Sequence, residues 1–231
     1  MRSYFIIILL LTLSVGCISP QIQPGNPAEY ELPGIHNTTI YYLNGSSVKV
    51  VEDVINTTSF RIDPGENGEE INLRDPIAQD YSGNNVTFNI SREVFFGRSY
   101  VHFDFDAPFS GFIAYTQSDG QDFVRPVTKN GSIRVVLPVN FTTGSMLLGI
   151  AQPEPDNVTY DAYGREVLIW DNPYPEHGRI SVNYYYRSSA GMLLYFGAFL
   201  LMAALLIWGY YYFSIKGLKK KRERLEKGIK K

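Results

Sequence analysis

Residues 190–213 read AGMLLYFGAFLLMAALLIWGYYYF, a run of 24 residues without one charged side chain. At about 1.5 Å per residue, a helix of this length reaches roughly 36 Å, enough to cross a hydrocarbon core of about 30 Å with some tilt. Because a backbone in lipid must satisfy its own hydrogen bonds, a single isolated span has to be helical. The stretch therefore predicts a transmembrane helix over residues 190–213 and disfavours a buried core helix.

The segment after this stretch is strongly basic. Residues 216–231 contain nine Lys or Arg and two acids, whereas residues 1–215 contain 12 basic and 21 acidic side chains. Because excess Lys and Arg close to a span stay in the cytoplasm, we predict a single-pass cell-membrane protein with a cytoplasmic tail over residues 214–231 and the remainder outside. Tyr184–Tyr186 and Tyr210–Tyr212 would mark the two interfaces. If the tail is helical, its apolar residues fall near one side and could face the inner leaflet: Leu218, Leu225 and Ile229.

The first 17 residues are typical of an export signal. The sequence MRSYFIIILLLTLSVGC places Arg2 before about a dozen apolar residues, too few for a comfortable span. Its end, residues 14–17, resembles the lipobox of exported lipoproteins, although Ser14 stands where that motif prefers Leu. Cys17 is the only cysteine, so it has no disulfide partner. Three outcomes stay open: lipidation of Cys17, ordinary cleavage nearby, and an uncleaved N-terminal anchor.

A linker and one β domain fill the interval between the signal and the helix. Residues 18–34 contain four Pro and two Gly, which predicts a semi-extended spacer. Residues 35–187 are the usual size of one extracytoplasmic domain, and several of their segments alternate apolar and polar residues with the period of half-buried strands. The predicted strands cover residues 39–43, 47–54, 86–90, 101–105, 110–116, 133–137, 146–151, 158–161, 167–169 and 180–186.

Asn-Gly pairs punctuate these strands at Asn44-Gly45, Asn67-Gly68 and Asn130-Gly131. Such pairs predict hairpin turns because both residues tolerate a positive φ. Many short strands with this spacing predict a mainly β chain: an immunoglobulin-like antiparallel β-sandwich, followed by the one C-terminal transmembrane helix. A closed barrel is the alternative. Trp170 is the candidate core anchor, although the Cys–Trp–Cys pattern of antibody domains is missing from the sequence.

Eight Asn residues stand in Asn-x-Ser/Thr sequences, the acceptor motif for N-glycosylation, and this number is well above what the composition would supply by chance. They are Asn37, Asn44, Asn56, Asn85, Asn89, Asn130, Asn140 and Asn157. Residues 160–187 contain no acceptor. Two explanations stay open: crowding near the bilayer, or a bare protein-contact surface that includes Tyr184–Tyr186.

Residues that carry catalysis or bind metals are sparse. The three His are scattered, and the sequence has no P-loop, no Gly-rich dinucleotide turn and no G-x-S-x-G motif. Asp63 and Glu66 form one candidate cation site and Asp104 and Asp106 another, because Ca²⁺ needs several oxygen ligands close together. Neither matches a calcium-loop motif. We therefore expect no cofactor and no enzyme activity, with a surface hydrolase or a Ca²⁺-dependent binding protein as the alternative.

The layout of the whole chain, with the segments FDFDAPFSGF (103–112) and LLGIAQPEP (147–155), resembles uncharacterised archaeal membrane-anchored surface proteins with a lipoprotein-like N-terminus. That resemblance implies no activity and no site residue. We expect a receptor, an adhesin or an accessory subunit whose partners are membrane lipids and envelope or membrane proteins. Ala190, Gly197 and Ala204 recur every seven residues and could form a helix-association stripe. The basic tail has no aromatic platform, so nucleic acid is not an expected partner.

Overall fold

The computed structural model describes residues 22–62, 73–96, 98–118 and 122–229, which form two compact units. The first, a β unit, ends at Tyr184, and the second, a helical unit, begins at Tyr185. In chain order the strands of the β unit are β1 (Thr38–Leu43), β2 (Ser47–Ile62), β3 (Leu73–Asp80), β4 (Asn89–Phe95), β5 (Arg98–Ser118), β6 (Asp122–Pro126), β7 (Ser132–Val136), β8 (Phe141–Thr142), β9 (Ala151–Gln152), β10 (Asn157–Tyr160), β11 (Glu166–Trp170) and β12 (Arg179–Asn183). Cys17, Asp63, Glu66 and the Asn67-Gly68 turn lie outside the described residues.

The larger sheet contains eight strands in the order β10-β11-β7-β1-β2-β5-β3, with β4 also paired to β5. The β1–β7 pair is parallel, with Thr38 opposite Ser132, whereas the prediction was fully antiparallel. The difference arises because β6, which precedes β7, lies in the other sheet. The chain therefore enters β7 from the same end at which it enters β1.

The smaller sheet has the order β6-β12-β9 and packs on one face of the larger sheet. Their shared core joins Phe123, Ile180 and Val182 of the smaller sheet to side chains such as Val135 and Trp170 of the larger one. Alternation explains this arrangement, because every second residue of a strand faces the same side. The predicted mainly β fold with two sheets is confirmed. The described part of the larger sheet is an open series from β10 to β3, which favours the sandwich over the closed barrel.

Strands β2 and β5 are unusually long, with 16 and 21 residues. The segments predicted as separate strands at 101–105 and 110–116 belong to one strand, β5. Its pairing with β2 shifts register between Val54 and Ser59, and such irregularities allow paired strands to bend. The rings of Phe103 and Tyr115 lie 6.3 Å apart although 12 residues separate them, so β5 turns back over itself.

Three local predictions are wrong. Residues 146–151 form a turn followed by the short β9. The backbone amides of Ser145 and Gly149 each donate to the carbonyl of the other, so they close the turn and do not pair with a neighbouring strand. Asn130-Gly131 is not a hairpin but the crossover from β6 to β7, which lie in different sheets. The strand predicted from residue 86 begins only at Asn89. By contrast, Asn44-Gly45 forms the expected β1–β2 turn, with the Asn44 amide donating to Ser47.

The helical unit contains β13 (Tyr185–Tyr186) and one helix, α1 (Ser189–Ile229). The helix is long and apolar enough to cross a membrane, which confirms the predicted C-terminal transmembrane helix. Its 41 residues correspond to about 60 Å at 1.5 Å per residue, so the helix extends beyond the uncharged stretch into the basic tail. The apolar side chains of the stretch are largely exposed, as lipid-facing residues must be.

The register of the strands gives the β unit two distinct ends. We call one the exit end, because β12 ends there at Asn183 and the chain leaves the unit; β1 ends there at Leu43. In the larger sheet, β5 ends at Ser118, only three residues before Asp122, where β6 of the smaller sheet begins. Asp122 pairs with Asn183, so the exit end belongs to both sheets. The opposite end, where β7 begins and the chain enters β12, is called the distal end.

Candidate functional site

All eight predicted glycan acceptors are exposed. Five lie at the distal end, beside strand termini or the bend of β2: Asn37, Asn56, Asn85, Asn130 and Asn157. Asn89 lies on β4, and Asn44 and Asn140 lie at the exit end. Asn37, Asn56 and Asn140 have a positive φ, the conformation that Asn tolerates better than most residues. Each acceptor side chain is thus open to a modifying enzyme, and most lie away from the exit end.

A cleft of about 410 Å³ opens at the distal end between the β1–β2 region and the β6–β7 crossover. Glu52 lies against Lys129 in an ion pair on its wall, and the Lys129 ammonium also lies 5.8 Å from the centre of the Phe60 ring. Two acceptors, Asn37 and Asn130, line the same cleft. Glu52 and Lys129 therefore neutralise each other on the cleft wall, and glycans on these Asn residues would stand at its mouth.

Asp53 is a buried carboxylate at the edge of this cleft, with no exposed side-chain surface. It accepts hydrogen bonds from the amide of Asn37 and from the hydroxyl of Tyr81, which lies 2.6 Å away. His36 stacks edge-on against Tyr81 at 4.5 Å, with its Nδ1 3.8 Å from Asp53. Desolvation at the hydroxyl and the bond to Asp53 raise the pKa of Tyr81 to about 12. The carboxylate thus fixes the start of β1 to the neighbouring strands.

The second candidate cation site is not assembled by the fold. The two carboxylate oxygens of Asp104 accept from the hydroxyls of Ser59 at 2.8 Å and Ser91 at 3.4 Å, which joins β5 to its neighbours β2 and β4. Asp106 is exposed. Among the described residues, no group of three or more His, Cys, Asp or Glu side chains converges as metal ligands. Asp63 and Glu66, which form the first candidate, are outside those residues.

An N-terminal strap, residues 25–32, crosses the outer face of the larger sheet. At one edge the amide of Gly25 donates to Pro76 of β3, and the Tyr30 hydroxyl donates to the Asp75 carbonyl at 2.7 Å. Tyr30 is buried with Val51, Ile77, Phe112 and Ala114 in a core separate from that between the sheets. Residues 25–32 are therefore packed structure, and the prediction of a spacer over 18–34 is wrong for them: their apolar side chains cover a face that the smaller sheet leaves open.

Arg165 holds the other end of the strap. Its guanidinium donates two hydrogen bonds to Glu31, at 3.0 and 2.6 Å, and a third to Asp161 at 2.6 Å. The same group lies 5.4 Å from the centre of the Tyr42 ring and 5.0 Å from that of Tyr163. Burial raises the pKa of Asp161, but the hydrogen bonds from Arg165 outweigh this effect and lower it. The Glu31 bond raises the pKa of Arg165.

Glu166 is a second buried carboxylate, at the exit end. It accepts from the hydroxyl of Thr142 at 2.6 Å and from the amide and hydroxyl of Thr143, both at 3.1 Å. The bonds tie the segment after β8 to β11. Sequence reasoning missed Asp53, Arg165 and Glu166, because an isolated charged residue in a strand gives no signal that it is buried with its partners.

The combination of a two-sheet β unit, exposed acceptors and one apolar C-terminal helix defines a membrane protein with a β-sandwich domain. The buried polar groups described above hold strands together. A family model matches residues 66–230, which begin after β2 and include every later strand and α1. The chain belongs to this group, the Family of unknown function (DUF5803). A comparison with curated proteins finds no match.

Proposed function

We propose that the chain is a non-enzymatic, single-pass protein of the cell envelope, whose β unit lies outside and binds other surface components. The observation that carries this proposal is α1, a single helix that joins the uncharged residues 190–213 to seven of the nine basic residues of 216–231. Lys and Arg that follow a span remain in the cytoplasm, so the β unit would be exported. The Lys/Arg cluster would bind anionic headgroups of the inner leaflet.

Exposed acceptor motifs support an N-glycosylated β unit. A modifying enzyme needs an accessible Asn, and all eight acceptor side chains meet this requirement. Glycans beside a lipobox-like segment ending at Cys17 fit an archaeal surface protein, the class that the chain resembles. If Cys17 is lipidated, the protein would be held in the membrane at both ends of its β unit.

Two surfaces are suited to protein partners. Residues 160–187 lack acceptors, which leaves them bare beside glycosylated surfaces. Ala190, Gly197 and Ala204 present small side chains along α1, and small residues permit close helix approach in lipid. We therefore favour an accessory subunit, which would have stoichiometric partners, over a receptor or adhesin that acts alone. The non-enzymatic assignment rests on the polar contacts of Asp104, which link three strands.

Topology and partners can be tested with the full-length protein in native membranes. A C-terminal epitope tag should resist protease in intact cells and be digested after permeabilisation, while peptides of the β unit are released from intact cells. Digestion of the tag in intact cells would refute the orientation. Purification in mild detergent followed by intact-mass spectrometry then measures lipid at Cys17, glycans on the eight Asn, and bound subunits. Eight unmodified Asn would remove the glycan part of the proposal.

A further inference from the structure

We infer that the exit end of the β unit docks on the outer leaflet of the bilayer that holds α1, with Met146 and Leu147 entering the interface. This inference rests on the proposed topology and deepens it. Both side chains stand at the tip of the turn between β8 and β9 and are 93% and 85% exposed. Apolar side chains exposed to water in this way raise the free energy of the folded protein unless a lipid or a protein covers them.

The turn that displays them is well ordered by its own hydrogen bonds. Ser145 and Gly149 exchange two backbone bonds, at 2.9 and 2.8 Å, and the amide of Leu148 donates to the Ser145 hydroxyl at 3.3 Å. Gly144 has a φ of +93°, which permits the sharp entry into the turn. The exposure of Met146 and Leu147 is therefore a property of a closed turn and not of a frayed segment.

The same turn is fixed to the last residues of the β unit. The amide of Asn183 donates to the carbonyl of Ile150 at 3.1 Å. Gly149 lies so close that an added Cβ would stand 2.5 Å from the carbonyl oxygen of Asn183 and 3.1 Å from the nitrogen of Tyr184. Tyr184 precedes the first residue of α1 by five positions, a reach of at most about 18 Å. A short chain thus connects the base of the turn to the membrane helix.

Other features of the exit end agree with a lipid surface. Val139 and Tyr163 are exposed there, and tyrosines are enriched where proteins meet headgroups. Five of the eight acceptors lie at the distal end, where a glycan would not meet the bilayer.

The occupant we commit to is lipid, because the turn is connected to a membrane helix through a few residues. Cys17 is the only cysteine, so Cys17→Ser gives a background for single-cysteine probes. Met146→Cys tests the turn, Tyr174→Cys at the distal end is the exposed control, and Leu200→Cys reports on α1. An environment-sensitive fluorophore is attached to each full-length variant in lipid nanodiscs, with and without spin-labelled lipid.

The expected result is several-fold quenching by spin-labelled lipid at positions 146 and 200, and none at 174. Quenching at 200 but not at 146 would overturn the docking and leave the proposed topology standing. No quenching at 200 would refute the membrane-spanning assignment, and the docking with it. A blue-shifted but unquenched probe at 146 would mean that protein covers the turn, which also overturns the inference. If Asn130 carries a glycan, mass spectrometry should in addition find lower occupancy at Asn140, and equal occupancy of the two modified sites would contradict the docking.

Discussion

The guanidinium Nη2 of Arg165 lies 2.6 Å from Oε2 of Glu31, and this pair joins two positions that are 134 residues apart in sequence. It connects the N-terminal strap to the turn between β10 and β11, at the edge of the sheet opposite β3, where Tyr30 is bound to Asp75. The strap is therefore held at both edges of the larger sheet. Any pull on the N-terminus, including one from a lipid on Cys17, would act on this pair and on Tyr30.

The first prediction concerns Glu31→Gln, which removes the charge from the pair but keeps the shape of the side chain. Glu31 is about half exposed, so the free energy of unfolding should fall by only about 0.5–1 kcal/mol. Hydrogen exchange of the strap amides should rise much more than exchange in β7, because the strap can open locally. Glu154→Gln, another exposed acid, is the control. Equal exchange in the two variants would show that Arg165 does not hold the strap.

The second prediction concerns the pH dependence of the contact between Arg165 and Asp161, the other carboxylate that this guanidinium binds. The folded-state pKa of Asp161 lies below its ordinary value near 4, so its contribution to stability is present above that value and is lost as the pH falls through the lowered pKa. The chemical-denaturation midpoint of the β unit should therefore fall as the pH drops below about 4, and Asp161→Asn should reduce that loss. A variant with the same acid dependence as the parent protein would contradict the assignment.

The fold could be predicted from the sequence where one residue's neighbours in the chain determine its environment. Alternation located β1, β7 and β11, and the absence of charge over residues 190–213 located α1. β3 was missed because Pro76 interrupts its pattern, although the strand tolerates proline at a register shift beside the strap. The Met146 turn was mistaken for a strand because its apolar run resembles a buried one, and only the tertiary structure shows that these side chains are exposed.

The candidate site was harder to predict because its contacts join residues that are far apart in the sequence. Acceptor motifs are local, so their positions follow from the sequence, and the structure adds their exposure and their concentration at the distal end. The contacts of Asp53, Glu166 and Arg165 join residues that are 16 to 134 positions apart. Nothing in their immediate sequence distinguishes them from charged residues on a solvated strand face. Pairing between distant strands brings each to its partners.

The third prediction concerns the partly buried bond between the hydroxyl of Tyr81 and the carboxylate of Asp53. The folded-state pKa of Tyr81 is about 12, above the unfolded value of about 10, so the stabilisation is present below pH 10 and is lost as the pH rises from 10 to 12. Tyr81→Phe should reduce this alkaline loss without removing it, because burial also raises the pKa values of Tyr30 and Tyr42 to about 12. Asp53→Asn should cost about 1–3 kcal/mol at neutral pH, because its NH2 group would face either the Asn37 amide or the Tyr81 hydroxyl, both of which donate to Asp53. Urea unfolding at several pH values measures both, and an unchanged alkaline profile in Tyr81→Phe would refute the role of this hydroxyl.

The last prediction tests the close approach at the base of the apolar turn. Gly149→Ala places a Cβ 2.5 Å from the carbonyl oxygen of Asn183, a backbone atom that cannot turn aside, so the turn or the end of β12 must move. Overpacking of this kind costs about 1–3 kcal/mol, and the melting temperature of the full-length protein in detergent should fall accordingly. Gly178→Ala is the matched control, because an added Cβ there meets no atom within 4 Å. In nanodiscs, Gly149→Ala should also weaken lipid quenching of a probe at position 146, since the turn is positioned through Asn183. A Gly149→Ala protein as stable as Gly178→Ala would mean that the turn is not packed against the last strand, and the connection between the exit end and the membrane helix would lose its structural basis.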